Sequence, residues 1–209
     1  MPSVFTLADA FSELLESEQS SNLGEETEAR WRLVETAWEL GVSGSLLTVK
    51  HDPETEALFM IDPLRGRRPI TGARTALSGY QKGHCFYCFD GFPLLGSPPP
   101  DIDHFFPHSL KSVGFKGLDS VWNLVLACRR CNRGSNGKFN RVPSLRLLKR
   151  LNTRNEFLIE SPHPLRETLI TQTGANATER RDFLATYYRS ALGALLHQWE
   201  SAEIAEALF

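Results

Sequence analysis

Cys85, Cys88, Cys128 and Cys131 are the only cysteines in this 209-residue chain, and they fall in two Cys-x-x-Cys pairs. That spacing suits one tetrahedral zinc ion. Each pair presents two sulfurs from one turn, and four thiolates leave no open coordination position. Such a metal is structural and pins the loop between the pairs. Within that loop runs Asp101-Ile102-Asp103-His104-Phe105-Phe106-Pro107, and Asn132 directly follows the last cysteine. Carboxylate and amide oxygens suit a hard cation such as Mg²⁺ or Mn²⁺. An imidazole that is neutral near physiological pH can take a proton from water. A closed structural metal beside an open, oxygen-liganded one points to metal-dependent cleavage of phosphodiesters.

The elements that must hold these residues can be sketched from pattern. Residues 101–106 alternate weakly and read as a strand, and the apolar run 121–127 reads as a second. A helix is expected to begin near the second cysteine pair. Upstream, 71–80 reads as a helix leading into the first pair. Residues 46–49 and 58–61 flank the turn-prone Asp52-Pro53-Glu54, which predicts a β-hairpin. Amphipathic helices are expected over 7–18 and 25–40. Downstream, a basic helix is expected over 145–151, another helix over 162–171 ended by Gly174, and a long one over 178–208 capped by Thr178. Three regions follow from this reading: N-terminal helices and hairpin (1–70), a metal-bearing centre (71–142) and a C-terminal helical region (143–209). The expected fold class is α+β.

Charge is unevenly spread. Residues 1–60 carry twelve acids against Arg30, Arg32 and Lys50, while 111–154 carry eleven bases against one acid, Asp119. A basic block beside the metal motif is what a polyanion-binding face requires. Arg129, Arg130, Arg133, Lys138, Arg146, Lys149 and Arg150 are its candidate phosphate contacts; such contacts carry little sequence information. No apolar run is long enough for a transmembrane helix, and the first residues lack the pattern of a secretory signal, so a cytoplasmic protein is expected. Reduced cysteines there favour metal over disulfides.

Asp103-His104, Asn123 in Trp122-Asn123-Leu124, and Cys128-Arg129-Arg130-Cys131-Asn132 together resemble the HNH endonuclease family. The Asp-x-Asp-His-x-x-Pro form is most similar to the HNH domains of RNA-guided and phage-defence nucleases. The resemblance covers about the central third of the chain. It implies a ββα-metal (His-Me finger) core with a four-cysteine zinc knuckle, wrapped by N- and C-terminal helices. It also implies roles. His104 is the general base, Asp103 and Asn132 ligate the catalytic Mg²⁺ or Mn²⁺, and Asn123 holds the motif loop. Asp101 is a further ligand or supports one. The products implied are 5′-phosphate and 3′-hydroxyl ends. Asn132 stands where the family name has a histidine, and a Gly-containing insertion, Arg133-Gly134-Ser135-Asn136-Gly137, separates the motif from Lys138.

The implied function is DNA cleavage by an effector of a prokaryotic anti-phage, restriction or CRISPR-associated system, with RNA not excluded. A protein partner that directs or gates cutting and a homodimer through the C-terminal helix are both compatible with the sequence. The alternative is a non-catalytic zinc-knuckle module that binds nucleic acid or a partner. Among the remaining histidines, His84 reads as a turn residue or an alternative zinc ligand, and His108 as a surface or substrate-touching group. His51, His163 and His197 read as structural or solvated.

Overall fold

The structure, a computed structural model, describes residues 49–92 and 99–202 apart from 53, 56, 63–65 and 162, with isolated helical residues before 49 (12–13, 23–24, 27–28, 30–31 and 34). The helices expected over 7–18 and 25–40 therefore lie almost wholly outside the described residues. The architecture is α+β, with small sheets set among helices.

The expected hairpin forms between β1 (Val49–Asp52) and β2 (Ala57–Asp62), paired antiparallel from Val49↔Met60 to Asp52↔Ala57. Asp52 makes the turn: Oδ1 accepts from the Glu54 amide at 3.0 Å and Oδ2 from the Thr55 hydroxyl at 2.7 Å. A third strand, β3 (Gly66–Gly72), departs from the sequence pattern, because Gly66, Pro69 and Gly72 all argue against a strand. It lies at the sheet edge, where a proline's missing N–H is tolerated. Helix α1 (Ala73–Gln81) follows directly and leads into the first cysteine turn.

The central unit is strand, strand, helix. β4 (Asp101–His104) pairs antiparallel with β5 (Leu124–Ala127), from Asp101↔Ala127 to His104↔Leu124, and α2 (Arg129–Arg133) follows. The second strand begins later than predicted. Val121–Asn123 is a 3₁₀ turn, because the buried Asn123 amide bonds backbone groups outside the sheet.

Helix α3 (Leu145–Glu160) runs well past the expected 145–151. Its inward face continues as Leu147, Leu148, Leu151, Arg154, Asn155, Leu158 and Ile159, so polar letters hide an unbroken helical spacing. Helix α4 (Arg166–Thr173) stops at Gly174, whose φ of 141° suits only glycine. Helix α5 (Ala177–Ala194) is capped by Asn176, not Thr178: Asn176 Oδ1 accepts from the amides of Thr178 and Glu179. Nor does α5 continue to 208. It ends at Ala194, after which β6 (Val142–Pro143) is joined in parallel by β7 (Gln198–Trp199). Trp199 drives that return. Its ring is buried edge-on against Tyr87, 5.0 Å between centroids, and its indole N–H donates to the Asn136 carbonyl at 2.8 Å.

The core is aromatic where the central unit meets α5. Trp122 packs against Phe106, Phe183 and Tyr187 with centroids 4.9–5.9 Å apart. The buried Arg154 of α3 donates to the carbonyls of Trp122 and Leu124, closing off backbone oxygens at the start of β5. The three-stranded sheet docks on this body through β1. The His51 amide donates to the Asp119 carbonyl at 3.1 Å, and Gln172 donates to the Val49 carbonyl. This contact carries His51 to the central unit.

Candidate functional site

The two cysteine turns converge. The sulfurs of Cys85, Cys88, Cys128 and Cys131 all lie within 4.8 Å of one another, with Cys88 and Cys128 at 3.9 Å. Tetrahedral zinc with bonds of about 2.3 Å needs sulfurs about 3.8 Å apart, so the cluster could hold a zinc ion. Polar hydrogens already face the sulfurs. The Cys128 amide points at Cys85 Sγ, the Cys131 amide at Cys128 Sγ, and the Arg130 guanidinium at Cys88 Sγ. Donors of this kind favour thiolates. Bonding among the thiols holds Cys88 low, through Cys128 first, and Cys128 at about 7, through Cys131 first, while the same bonding, through Cys128 first, pushes Cys85 and Cys131 up. His84 is not in the cluster; its Nδ1 donates to the Lys82 carbonyl at 2.6 Å.

Gln81 fastens the first turn to the central strands, a role the sequence did not reveal. Its buried amide accepts from the Leu126 N–H and donates to the carbonyls of Leu126 and His84. Arg150 fastens it from the other side. It donates to the carbonyls of Phe86 and Tyr87 at 2.8 and 3.0 Å, with its guanidinium 3.9 Å over the Phe89 ring.

Side chains alternate along β4, and its two faces carry different chemistry. Asp101 and Asp103 lie on one face, each with its own partners. Asp101 accepts from Asn132 Nδ2 at 3.0 Å and Arg133 Nη2 at 2.8 Å. Asp103 is buried; its Oδ2 accepts from the Tyr87 hydroxyl at 2.6 Å and its Oδ1 lies 3.2 Å from Lys138 Nζ. Burial pushes the Asp103 carboxyl up and the Lys138 ammonium down, each against the attraction of the other. Lys138 also donates to the carbonyls of His104 and Phe139 and is only 1% exposed. It does not face solvent, contrary to the expected phosphate contact.

The glycine-containing insertion explains this. Gly137 folds against the turn so closely that a Cβ would lie 2.8 Å from Gly134 N and 2.9 Å from Asn132 O. The chain then doubles back, with the amides of Lys138 and Phe139 bonding the carbonyls of Cys131 and Asn132. For Mg²⁺ or Mn²⁺, the donor types of Asp101, Asp103 and Asn132 are suitable. Their arrangement is not: all four carboxylate oxygens already have cationic or hydrogen-bonding partners, and Lys138 stands beside Asp103 where a cation would bind.

His104 looks into a different group. Its Nε2 lies 3.1 Å from Asp119 Oδ1. An ionised carboxylate only accepts, so Nε2 carries the proton and Nδ1 is left as the basic nitrogen. Asp119 Oδ1 also lies 3.7 Å from His108 Nε2, and Oδ2 takes the Lys111 ammonium. The rings of His51 and His108 stand edge-on to His104 at 5.9 and 5.3 Å. Burial pulls the His104 imidazole down to about 4, against Asp119, and the two neighbouring histidines add to the drop. His104 is therefore neutral across the physiological range. Burial alone would raise Asp119, but Lys111 and His104 outweigh it and hold the carboxylate below its ordinary value.

Asn123 fixes the loop that follows His104. Its Oδ1 accepts from the Phe106 amide at 2.8 Å, and its Nδ2 donates to the carbonyls of Phe106 and Leu118. The same bonds set the position of 118–119. Sequence reasoning missed Asp119, His108, Lys111 and His51 as a group. One signal for Asp119 was available: it is the single acid in the basic stretch.

The basic residues do not form one free face. Arg146 pairs with Glu200, Arg130 with Asp90 and Arg133 with Asp101. Arg150 and Lys138 serve the interior, as above. Arg129 and Lys149 are exposed, as is Lys116, which the sequence reading did not single out. Among the described residues no helix is long and apolar enough to cross a membrane. No protein-family model matches the chain, and no curated protein matches it.

Proposed function

We propose that this chain is an endonuclease of the HNH type that hydrolyses phosphodiester bonds in DNA. The observation that carries the reading is the setting of His104. It ends the first strand of a strand–strand–helix unit, its Nε2 is held by Asp119, and it is neutral at physiological pH. Asn123 tethers the following loop, and the cysteine cluster joins the turn after α1 to the junction of β5 and α2. In the proposed step His104 Nδ1 takes a proton from water as the new oxygen–phosphorus bond forms. The bond from phosphorus to the sugar oxygen breaks, and that oxygen takes a proton from solvent. His108, 3.7 Å from the Asp119 carboxylate and half-exposed, can meet phosphate charge. A zinc ion held by Cys85, Cys88, Cys128 and Cys131 would supply rigidity rather than chemistry.

The family resemblance implies a divalent ion at Asp103, Asn132 and Asp101. The Lys138–Asp103 pair disagrees with that assignment, and metal dependence is an outcome of the assay. Cleavage of plasmid DNA by the purified chain and by His104→Ala tests the reading, with RNA as a second substrate. The wider context proposed is an effector in a prokaryotic defence system, directed by a protein partner or acting as a homodimer, and co-purification tests it. One observation favours the alternative of a non-catalytic binding module. A carboxylate neutralised by a buried lysine is what a scaffold uses.

A further inference from the structure

We infer that Asp119, held in place by Lys111, is the positioning residue that sets which ring nitrogen of His104 is basic. This rests on the hydrolytic reading above and adds to it a residue outside the motif.

The carboxylate is used asymmetrically. Oδ1 faces the histidines, 3.1 Å from His104 Nε2 and 3.7 Å from His108 Nε2, while Oδ2 takes the Lys111 ammonium. The Asp119 backbone is fixed independently, since its carbonyl accepts from the His51 amide. Side-chain changes at 119 therefore leave the anchor of the loop intact. An ammonium only donates, so it holds an acceptor at the Oδ2 position. With aspartate both positions accept, His104 must donate from Nε2, and Nδ1 is left to take a proton.

Asparagine would reverse this. In Asp119→Asn, Lys111 keeps the amide oxygen on its own side and the NH₂ group turns to the histidines. His104 must then accept at Nε2 and carry its proton on Nδ1, so the nitrogen that should take a proton from water is blocked. Removing the lysine as well frees the amide to turn its oxygen to His104. In Asp119→Asn/Lys111→Met the original tautomer becomes available again.

Long-range ¹H–¹⁵N correlation of the ¹⁵N-histidine-labelled, zinc-loaded full chain at neutral pH reads the tautomer directly, with His104→Gln assigning the signal. The expected pattern is Nε2–H in the wild type and in Lys111→Met, Nδ1–H in Asp119→Asn, and Nε2–H again in the double variant. Cleavage should fall roughly 10³–10⁴-fold in Asp119→Asn, mainly in kcat, and recover at least about tenfold in the double variant. An Asp119→Asn chain that keeps Nε2–H, or a double variant that keeps Nδ1–H, overturns the inference. The tautomer is read without substrate. Absence of cleavage by the wild type would thus refute the nuclease reading while leaving this one to stand or fall on the spectra.

Discussion

Lys138→Met removes a buried ammonium while keeping most of its stem. Asp103 Oδ1 lies 3.2 Å from Lys138 Nζ, and the two side chains are 8% and 1% exposed. At that distance, with an effective dielectric near 20, the attraction is about 5 kcal/mol. Much of it offsets the cost of taking both charges out of water. Removing one partner leaves the other charge stranded, and the expected loss of stability is roughly 3–5 kcal/mol. The carbonyls of His104 and Phe139 lose their donor as well. Urea unfolding of the zinc-loaded protein measures the loss. Asp103→Asn/Lys138→Met should recover at least half of it, because no charge is then buried alone. A divalent cation should raise the stability of Lys138→Met more than that of the wild type, since Asp103 then has room for one. A loss below about 1 kcal/mol in the single variant would refute the buried pair. Equal responses to Mg²⁺ would refute competition between lysine and cation.

The cysteine turns and His163 give two further tests. The protein should carry about one zinc per chain, and a strong chelator should lower its Tm by more than about 10 °C by releasing the turns that hold Phe86 and Tyr87 in the core; a metal-free protein with the same Tm would contradict this. His163 is buried and its Nδ1 accepts from the Leu165 amide; burial, then Arg30 and Arg154, hold its imidazole down to about 3. The unfolded chain therefore binds the extra proton between about pH 3 and pH 6.5, so this contribution is complete above about 6.5 and falls with pH. Between pH 7.5 and pH 5 the wild type should lose roughly 2 kcal/mol more than His163→Asn, and equal losses would contradict the buried neutral state.

The cysteine pairs, the order Asp103-His104, Asn123 and Asn132, and the strand–strand–helix succession are all legible in the sequence. Each rests on local spacing. What escapes depends on long-range contacts. Asp119 reaches His104 because Asn123 sets the loop between them, and no local pattern announces that. Lys138 reads as a phosphate contact from its charge. Its inward turn comes from Gly137, where a side chain would clash with the preceding turn. Arg150 sits in a basic helix and reads as surface, yet the carbonyls of Phe86 and Tyr87 and the Phe89 ring claim it. The end of α5 at Ala194 is hidden because the residues beyond it keep a helical pattern. The burial of Trp199 against Tyr87 outweighs that local preference.

The most direct test of the account is nicking of supercoiled plasmid by the zinc-loaded chain and by His104→Ala, each in Mg²⁺, Mn²⁺ and EDTA, with melting curves matched. Nicked or linear product is expected from the wild type, with a loss of at least about 100-fold in His104→Ala at unchanged Tm. Cleavage that survives the loss of His104, or a folded wild type that cuts neither DNA nor RNA, would contradict it.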